Sequence, residues 1–223
     1  MIETIVLTLA LASATTLVLL CLGTPLAWWL SQTRSPVRPA LEALTAMPLV
    51  LPPTVLGFYF LVLFSPTAPV GAWLLEVTGT RLTFSFEGLV LASVVYSLPF
   101  MVQPLQSSFA ALGRAPLDAA ATLGASPLDR FFSVVVPQCR RGFLAASVLT
   151  FAHTVGEFGV VLLVGGNLPG ETRVLSIAIY EHVETLDYGT AHTLSGGLLV
   201  FSFVVLLLVY ATRGKPPLVV GTQ

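Results

Sequence analysis

Charge is what this sequence has least of. Of its 223 residues only 9% are charged, against about 25% in a soluble domain. The few charges cluster and leave long uncharged runs, 55% of the residues are hydrophobic, and mean hydropathy is +0.90. That combination excludes an ordinary soluble globule and specifies a polytopic membrane protein. A net charge of -1 with no basic stripe excludes a nucleic-acid partner. The two cysteines, Cys21 and Cys139, make no disulfide framework; both stand in apolar contexts and are expected to be buried thiols. No lysine or arginine precedes the first apolar run, so a cleaved signal peptide is not expected. Motifs of catalysis are missing as well. No glycine-rich phosphate loop ends in Gly-Lys-Ser/Thr, because Gly214-Lys215 is followed by Pro216, and the chain is not expected to hydrolyse nucleotide. There is no Gly-x-Ser-x-Gly elbow, no His-Glu-x-x-His and no cysteine pair at metal spacing. No metal site, no cofactor and no enzymatic activity are expected. The length accommodates one transmembrane domain over residues 1–223, without a large soluble domain.

What the chain does have is five apolar runs near or above the ~20 residues that cross a bilayer core. They are Ile5–Leu30, Ala43–Phe64, Gly88–Leu112, Gly142–Val164 and Thr190–Ala211. The expected fold class is an all-α polytopic membrane protein with five transmembrane helices. The second run contains Pro48, Pro52 and Pro53 and is predicted to be kinked or broken, which neighbouring protein makes tolerable in a membrane. Arg34, Arg38, Arg114, Arg130, Arg140, Arg141, Arg213 and Lys215 fall on one side of these spans, and Arg81 and Arg173 on the other. The positive-inside rule then puts the N-terminus outside, the C-terminus in the cytoplasm and the segment between spans three and four in the cytoplasm.

That segment, 114–137, carries the strongest local signals. Pro116 and Asp118 suit a helix start. Gly124 suits its end, since glycine enters the left-handed conformation at little cost. Ser126, Pro127 and Asp129 read as cap, first residue and third residue of a second short helix, in a capping-box pattern. Pro137 is expected to force a break. Ala119, Ala120 and Ala121 leave room for another surface. A loop of fixed shape with small residues at the foot of a bundle suggests a docking site for a partner.

Ionisable residues inside a span are functional hypotheses by default. His153 and Glu157 are four apart in span four and are predicted to share one helical face, flanked by Gly156 and Gly159. Three roles stay open: lining of a transport path, a proton relay, or a neutral pair that packs helices. Ser147, Thr150 and Thr154 recur every three to four residues and add a partly polar stripe with no lysine or arginine on it. On the outer side, Glu181, His182, Glu184 and Asp187 read as a solvated acidic face, and Tyr180 and Tyr188 as interfacial aromatics. Asn167-Leu-Pro-Gly170 is a turn by composition.

The loop Asp118-Ala-Ala…Gly124…Val-Val-Pro137 resembles the Glu-Ala-Ala…Gly signature of ABC importer permeases, with Asp118 in place of the usual Glu. Met47-Pro-Leu-Val-Leu-Pro-Pro53 with Gly57, Gly156-Glu-Phe-Gly159, and Asn167-Leu-Pro-Gly-Glu-Thr-Arg173 followed by Ala178-Ile-Tyr180 look like the molybdate transport permeases. Tungstate permeases are similar, and sulfate permeases are related but longer. The resemblance runs from span one to span five. It implies a type I importer fold, a homodimer in the cell membrane, two ATPase subunits below and an extracytoplasmic molybdate-binding protein above. Asp118, Ala119, Ala120, Gly124, Ser126, Pro127 and Pro137 would then belong to coupling helices that sit in the ATPase. Ser147, Thr150, His153, Thr154, Gly156, Glu157 and Gly159 would line the pathway or gate. The competing classes are a proton-coupled carrier and a membrane-embedded enzyme, with His153 and Glu157 as acid and base. Secondary carriers often carry paired repeats, and none is visible here.

Overall fold

The computed structural model describes residues 1–212; Arg213 and Lys215, two of the basic residues in the topology argument, lie outside the described residues. Every regular element among the described residues is helical. The uncharged runs make this necessary, since backbone groups in a bilayer core must be satisfied within the segment. Helix α1 covers Ile2–Gln32. Next come α2 (Arg38–Ala46), a 3-10 turn at Met47–Leu49, α3 (Pro53–Phe64), α4 (Pro69–Thr78) and α5 (Phe86–Leu112). The loop 114–137 holds α6 (Ala115–Thr122), α7 (Pro127–Arg130) and a π-helical turn at Phe131–Val135, which continues into α8 (Val136–Gln138). The chain ends with α9 (Arg140–Gly156), α10 (Gly159–Gly165), α11 (Leu175–Glu184) and α12 (Tyr188–Thr212).

Three of these helices, α1, α5 and α12, are long and apolar enough to cross a membrane alone. The second and fourth expected spans are bent pairs. The helices on either side of Pro52 turn by 105°, and α9 and α10 turn by 60°. The first break follows from proline chemistry. Pro52 and Pro53 offer no N–H to a preceding turn, and Pro52 precedes a proline and is therefore extended, at φ -54 and ψ 135. The fourth expected span bends between Gly156 and Gly159, where the two glycines permit a kink.

Helices α1, α5 and α9 pack against one another. Leu19, Ala27 and Leu30 of α1 meet Met101, Leu105 and Phe109 of α5 and Ala146 of α9, all buried. Leu117, Val135 and Cys139 join the same cluster, so the loop 114–137 is fastened to the foot of the bundle. A second cluster joins Leu56 and Phe64 of α3 to Val160 and Val164 of α10, beside Ala92. Lipid tails are as apolar as leucine, so these contacts hold by close packing rather than by expulsion of water. Cys139 is buried, with its thiol directed at the Ser108 carbonyl oxygen, 3.6 Å away. Cys21 is exposed, on the side of α1 that carries Leu17 and Leu22. The expectation of two buried thiols fails for Cys21 because an apolar neighbourhood does not say which face of a membrane helix is covered.

Candidate functional site

Two regions concentrate the residues singled out by sequence. The first is the loop 114–137. Asp118 lies in the first turn of α6, where a carboxylate complements the exposed N–H groups. Gly124 has φ +86, a region that costs other residues roughly 1–2 kcal/mol. There its N–H reaches Ala121 O at 3.0 Å and the Ala125 N–H reaches Ala120 O at 3.1 Å, closing the end of α6. Ser126 Oγ accepts from the Asp129 N–H at 3.2 Å, and Pro127 is the first residue of α7. The reciprocal half of the capping box is not formed: Asp129 Oδ1 instead accepts from the Ser133 hydroxyl at 2.8 Å, one turn further on. Pro137 does not break the chain as expected. The widened π turn just before it admits a residue without an N–H, and the path stays helical until a turn at Cys139.

The loop has two faces. Towards the bundle, Phe131 meets Trp28 at 5.5 Å, and Trp28 meets Phe109 at 5.4 Å, both edge-on. Away from it, Leu123, Leu128 and Phe132 are 88%, 72% and 65% exposed, and Ala119 is also exposed. Three large apolar side chains held outward on a capped, rigid frame make a surface suited to burial against another protein. Sequence reasoning identified the frame and missed these side chains. A leucine or phenylalanine beside a long apolar span does not stand out by composition.

The second region is the break between α9 and α10. Glu157 was expected on a helical face with His153. It is the residue at which α9 ends: its φ of -67 is still helical and its ψ of 135 is extended, so the chain leaves the helix immediately after it. His153 Nδ1 pairs with the Ser97 hydroxyl at 2.9 Å, and Ser97 also meets Thr154 Oγ1 at 3.0 Å. The imidazole stacks on Phe100 with centroids 3.9 Å apart and lies 5.0 Å from Tyr96. Glu157 is 4% exposed, and neither of its carboxyl oxygens has a hydrogen-bond partner. Ser93 of α5 is a polar neighbour, yet its hydroxyl is also unpartnered. The backbone oxygen of Glu157 accepts from the Ser176 hydroxyl of α11. A buried polar group left without partners costs about 1–3 kcal/mol, and more when charged.

The two breaks meet. A Cβ on Gly159 would lie 2.7 Å from Pro53 Cβ, so only glycine lets the start of α10 rest on the start of α3. Thr150 and Thr154 are buried within the subunit, whereas Ser147 lines a separate groove with Thr16, Phe151 and Phe201. The sequence stripe is thus divided between two surroundings. Ser93, Ser97, Tyr96 and Phe100 of α5 were missed; two serines four apart in an apolar helix were the available signal.

On the far side of the bundle the acidic cluster is largely paired. Arg173 bridges to Glu181 at 3.2 Å and donates to Asn167 Oδ1 at 2.6 Å. His182 lies 3.1 Å from Asp187, and the Thr190 hydroxyl and N–H hold Asp187 below the usual carboxylate range. Among the described residues, no group of three or more His, Cys, Asp or Glu is placed to hold a metal ion.

Residues 5–213 match the binding-protein-dependent transport system inner membrane component family. The chain belongs to this family of membrane transport components. It is 56% identical over 207 residues to the molybdenum transport system permease protein ModB of Azotobacter vinelandii, covering 93% of this chain and 92% of that one. Identity to the ModB protein of Escherichia coli K12 is 34% over 183 residues, 82% and 80% of the two chains. To the sulfate transport system permease protein CysT of the same organism it is 32% over 193 residues, 86% and 69% of the two chains. Among solved structures, a bacterial ABC transporter involved in import of the polysaccharide alginate superposes with a TM-score of 0.73 at 18% identity, covering 96% of this chain and 80% of that one. The MetNI methionine ABC transporter, in inward-facing form, gives 0.72 at 15%, covering 94% and 93%. The fold is therefore that of ABC importer permeases, and the expectation of an all-helical, multi-pass membrane protein holds.

Proposed function

We propose that the chain is the membrane-spanning subunit of an ATP-driven molybdate importer. The observation that carries this reading is the 56% identity to a molybdenum permease across almost the full length of both chains, against 32% to a sulfate permease. Two copies pair across a two-fold axis. An ATPase dimer docks on the loop 114–137, and an extracytoplasmic binding protein delivers the oxyanion from the opposite side. The N-terminus is outside and the C-terminus is cytoplasmic, as the arginine distribution supports. The outward apolar triad Leu123, Leu128 and Phe132 is the surface that the ATPase covers. Motion of the loop passes to α1 and α5 through Leu117, Phe131, Trp28 and Phe109, which share one packed cluster. The meeting of the two broken spans at Pro53 and Gly159 is the place where the subunit flexes, because half-helices joined by extended residues change angle without unwinding a turn. Thr150, His153, Thr154, Gly156 and Glu157 shape that region, and Ser147 faces the neighbouring groove.

No lysine or arginine lies in α9 between Gly142 and Gly156, so this part of the path does not hold a tetrahedral oxyanion tightly. Selectivity then resides in the binding protein. The test is uptake into proteoliposomes holding the permease with its ATPase and binding protein. Molybdate uptake that needs ATP and the binding protein is expected, with tungstate and sulfate as competitors. Uptake driven by a proton gradient without ATP would support the carrier reading that Glu157 keeps in play.

A further inference from the structure

The cleft between the end of α1 and the loop 114–137 is unlike the rest of the subunit. It has a volume of about 300 Å³ and is lined by Trp28 and Gln32 of α1, Arg114 and Asp118 at the start of the loop, and Arg130 and Phe131. Two arginines face one carboxylate, leaving one positive charge. Neither arginine is in an ion pair among the described residues. Arg130 Nε is buried and has no hydrogen-bond partner, and a buried donor left unmade costs about 1–3 kcal/mol. A guanidinium presents a planar fork of donors that matches phosphate oxygens. Trp28 and the exposed Trp29 stand at the end of a membrane-length helix, where tryptophan marks the boundary between lipid and water. Basic pockets at that depth suit anionic headgroups.

We propose that this cleft binds a phosphate group, with Arg130 and Arg114 as its donors and the Gln32 amide available beside them. The phosphate chemistry is common to an anionic lipid headgroup and to free inorganic phosphate. The inference does not depend on which ion the importer carries or on the ATPase, because it concerns the isolated chain.

Two measurements on the full-length protein separate the sources. A Trp29→Phe/Trp73→Phe background leaves Trp28 as the single fluorophore in the cleft. Its emission is followed as inorganic phosphate is added to protein in zwitterionic nanodiscs. In parallel, native mass spectrometry counts phosphatidylglycerol and phosphatidylcholine retained by protein released from mixed nanodiscs. Saturable emission change without selective lipid retention assigns free phosphate, and selective phosphatidylglycerol retention assigns the headgroup. In either case Arg130→Gln with Arg114→Gln is expected to weaken binding at least tenfold, and Arg130→Lys to give an intermediate loss. An unchanged helical circular dichroism spectrum checks that the variants fold. No saturable emission change together with no lipid preference, or a response that survives in the folded double variant, overturns the proposal.

Discussion

The loop 114–137 and the break at 156–159 treat polar and apolar groups in opposite ways. In the loop the backbone is closed by local bonds at Gly124 and Ser126, while large apolar side chains are held outward. At the break the apolar side chains are buried, while the hydroxyl of Ser93 and both carboxyl oxygens of Glu157 have no partner. A rigid frame with unused apolar surface is built to meet another molecule. A loosely satisfied polar joint between half-helices is built to change shape. Under the proposed function, docking belongs to one region and flexing to the other, and each role can be tested separately.

The largest effect is expected from charging the outer face of the loop. Leu128→Glu with Phe132→Glu replaces two exposed apolar side chains that are not members of the buried core cluster, Phe132 resting only edge-on against Phe131. Interface anchors of this kind contribute about 2 kcal/mol or more each, so ATPase association should fall on the order of 1,000-fold, while insertion and folding persist. Co-purification of permease with ATPase from detergent measures this. Wild-type association in that variant would move the docking surface elsewhere.

Gly124→Leu should come next. No neighbouring atom lies within 4 Å of the added Cβ, so the cost is the left-handed backbone alone, about 1–2 kcal/mol. The frame then distorts, and ATPase association is expected to weaken roughly tenfold with little change in thermal stability of the bundle. At the break the balance reverses. Gly159→Ala pushes a methyl group against Pro53, and overpacking of this size costs about 1 kcal/mol. Thermal stability and uptake should both fall, while ATPase association is kept. Loss of association in Gly159→Ala, or of bundle stability in Gly124→Leu, would blur the division between the regions.

The loop was legible in the sequence because its signals are local. A proline, a cap and a glycine act within four residues: the start of α6, its end at Gly124 and the Ser126 cap stand as read, without the reciprocal half of the capping box. Pro137 was misread because a π turn, which no simple residue pattern announces, absorbed the missing donor. The break was less legible because its cause is tertiary. Spacing put Glu157 on a helix with His153 but did not show that the helix ends at Glu157, where the chain turns and seats Gly159 on Pro53 from a distant part of the sequence. Ser93 and Ser97 gained meaning only when α5 was placed against α9.

The smallest effect is expected from Glu157→Gln, and it sharpens the comparison most. The side chain is buried with no cation beside it: among the described residues Glu157 is in no ion pair. A joint that works by shape needs the volume and the acceptor of this side chain, not its charge. Glutamine keeps both and adds two donors that Ser93 can accept. ATP-driven uptake in Glu157→Gln should therefore stay within about twofold of wild type. Glu157→Leu removes the polar end, leaves the Ser93 hydroxyl facing a methyl group, and should lower uptake several-fold more than the amide does. A proton relay reverses this order. Glutamine cannot carry the proton, so both variants would then fail alike, and wild-type uptake in ATP-loaded proteoliposomes would collapse when the proton gradient is dissipated. Measuring the two variants with and without an uncoupler thus decides whether the break moves as a hinge or conducts protons.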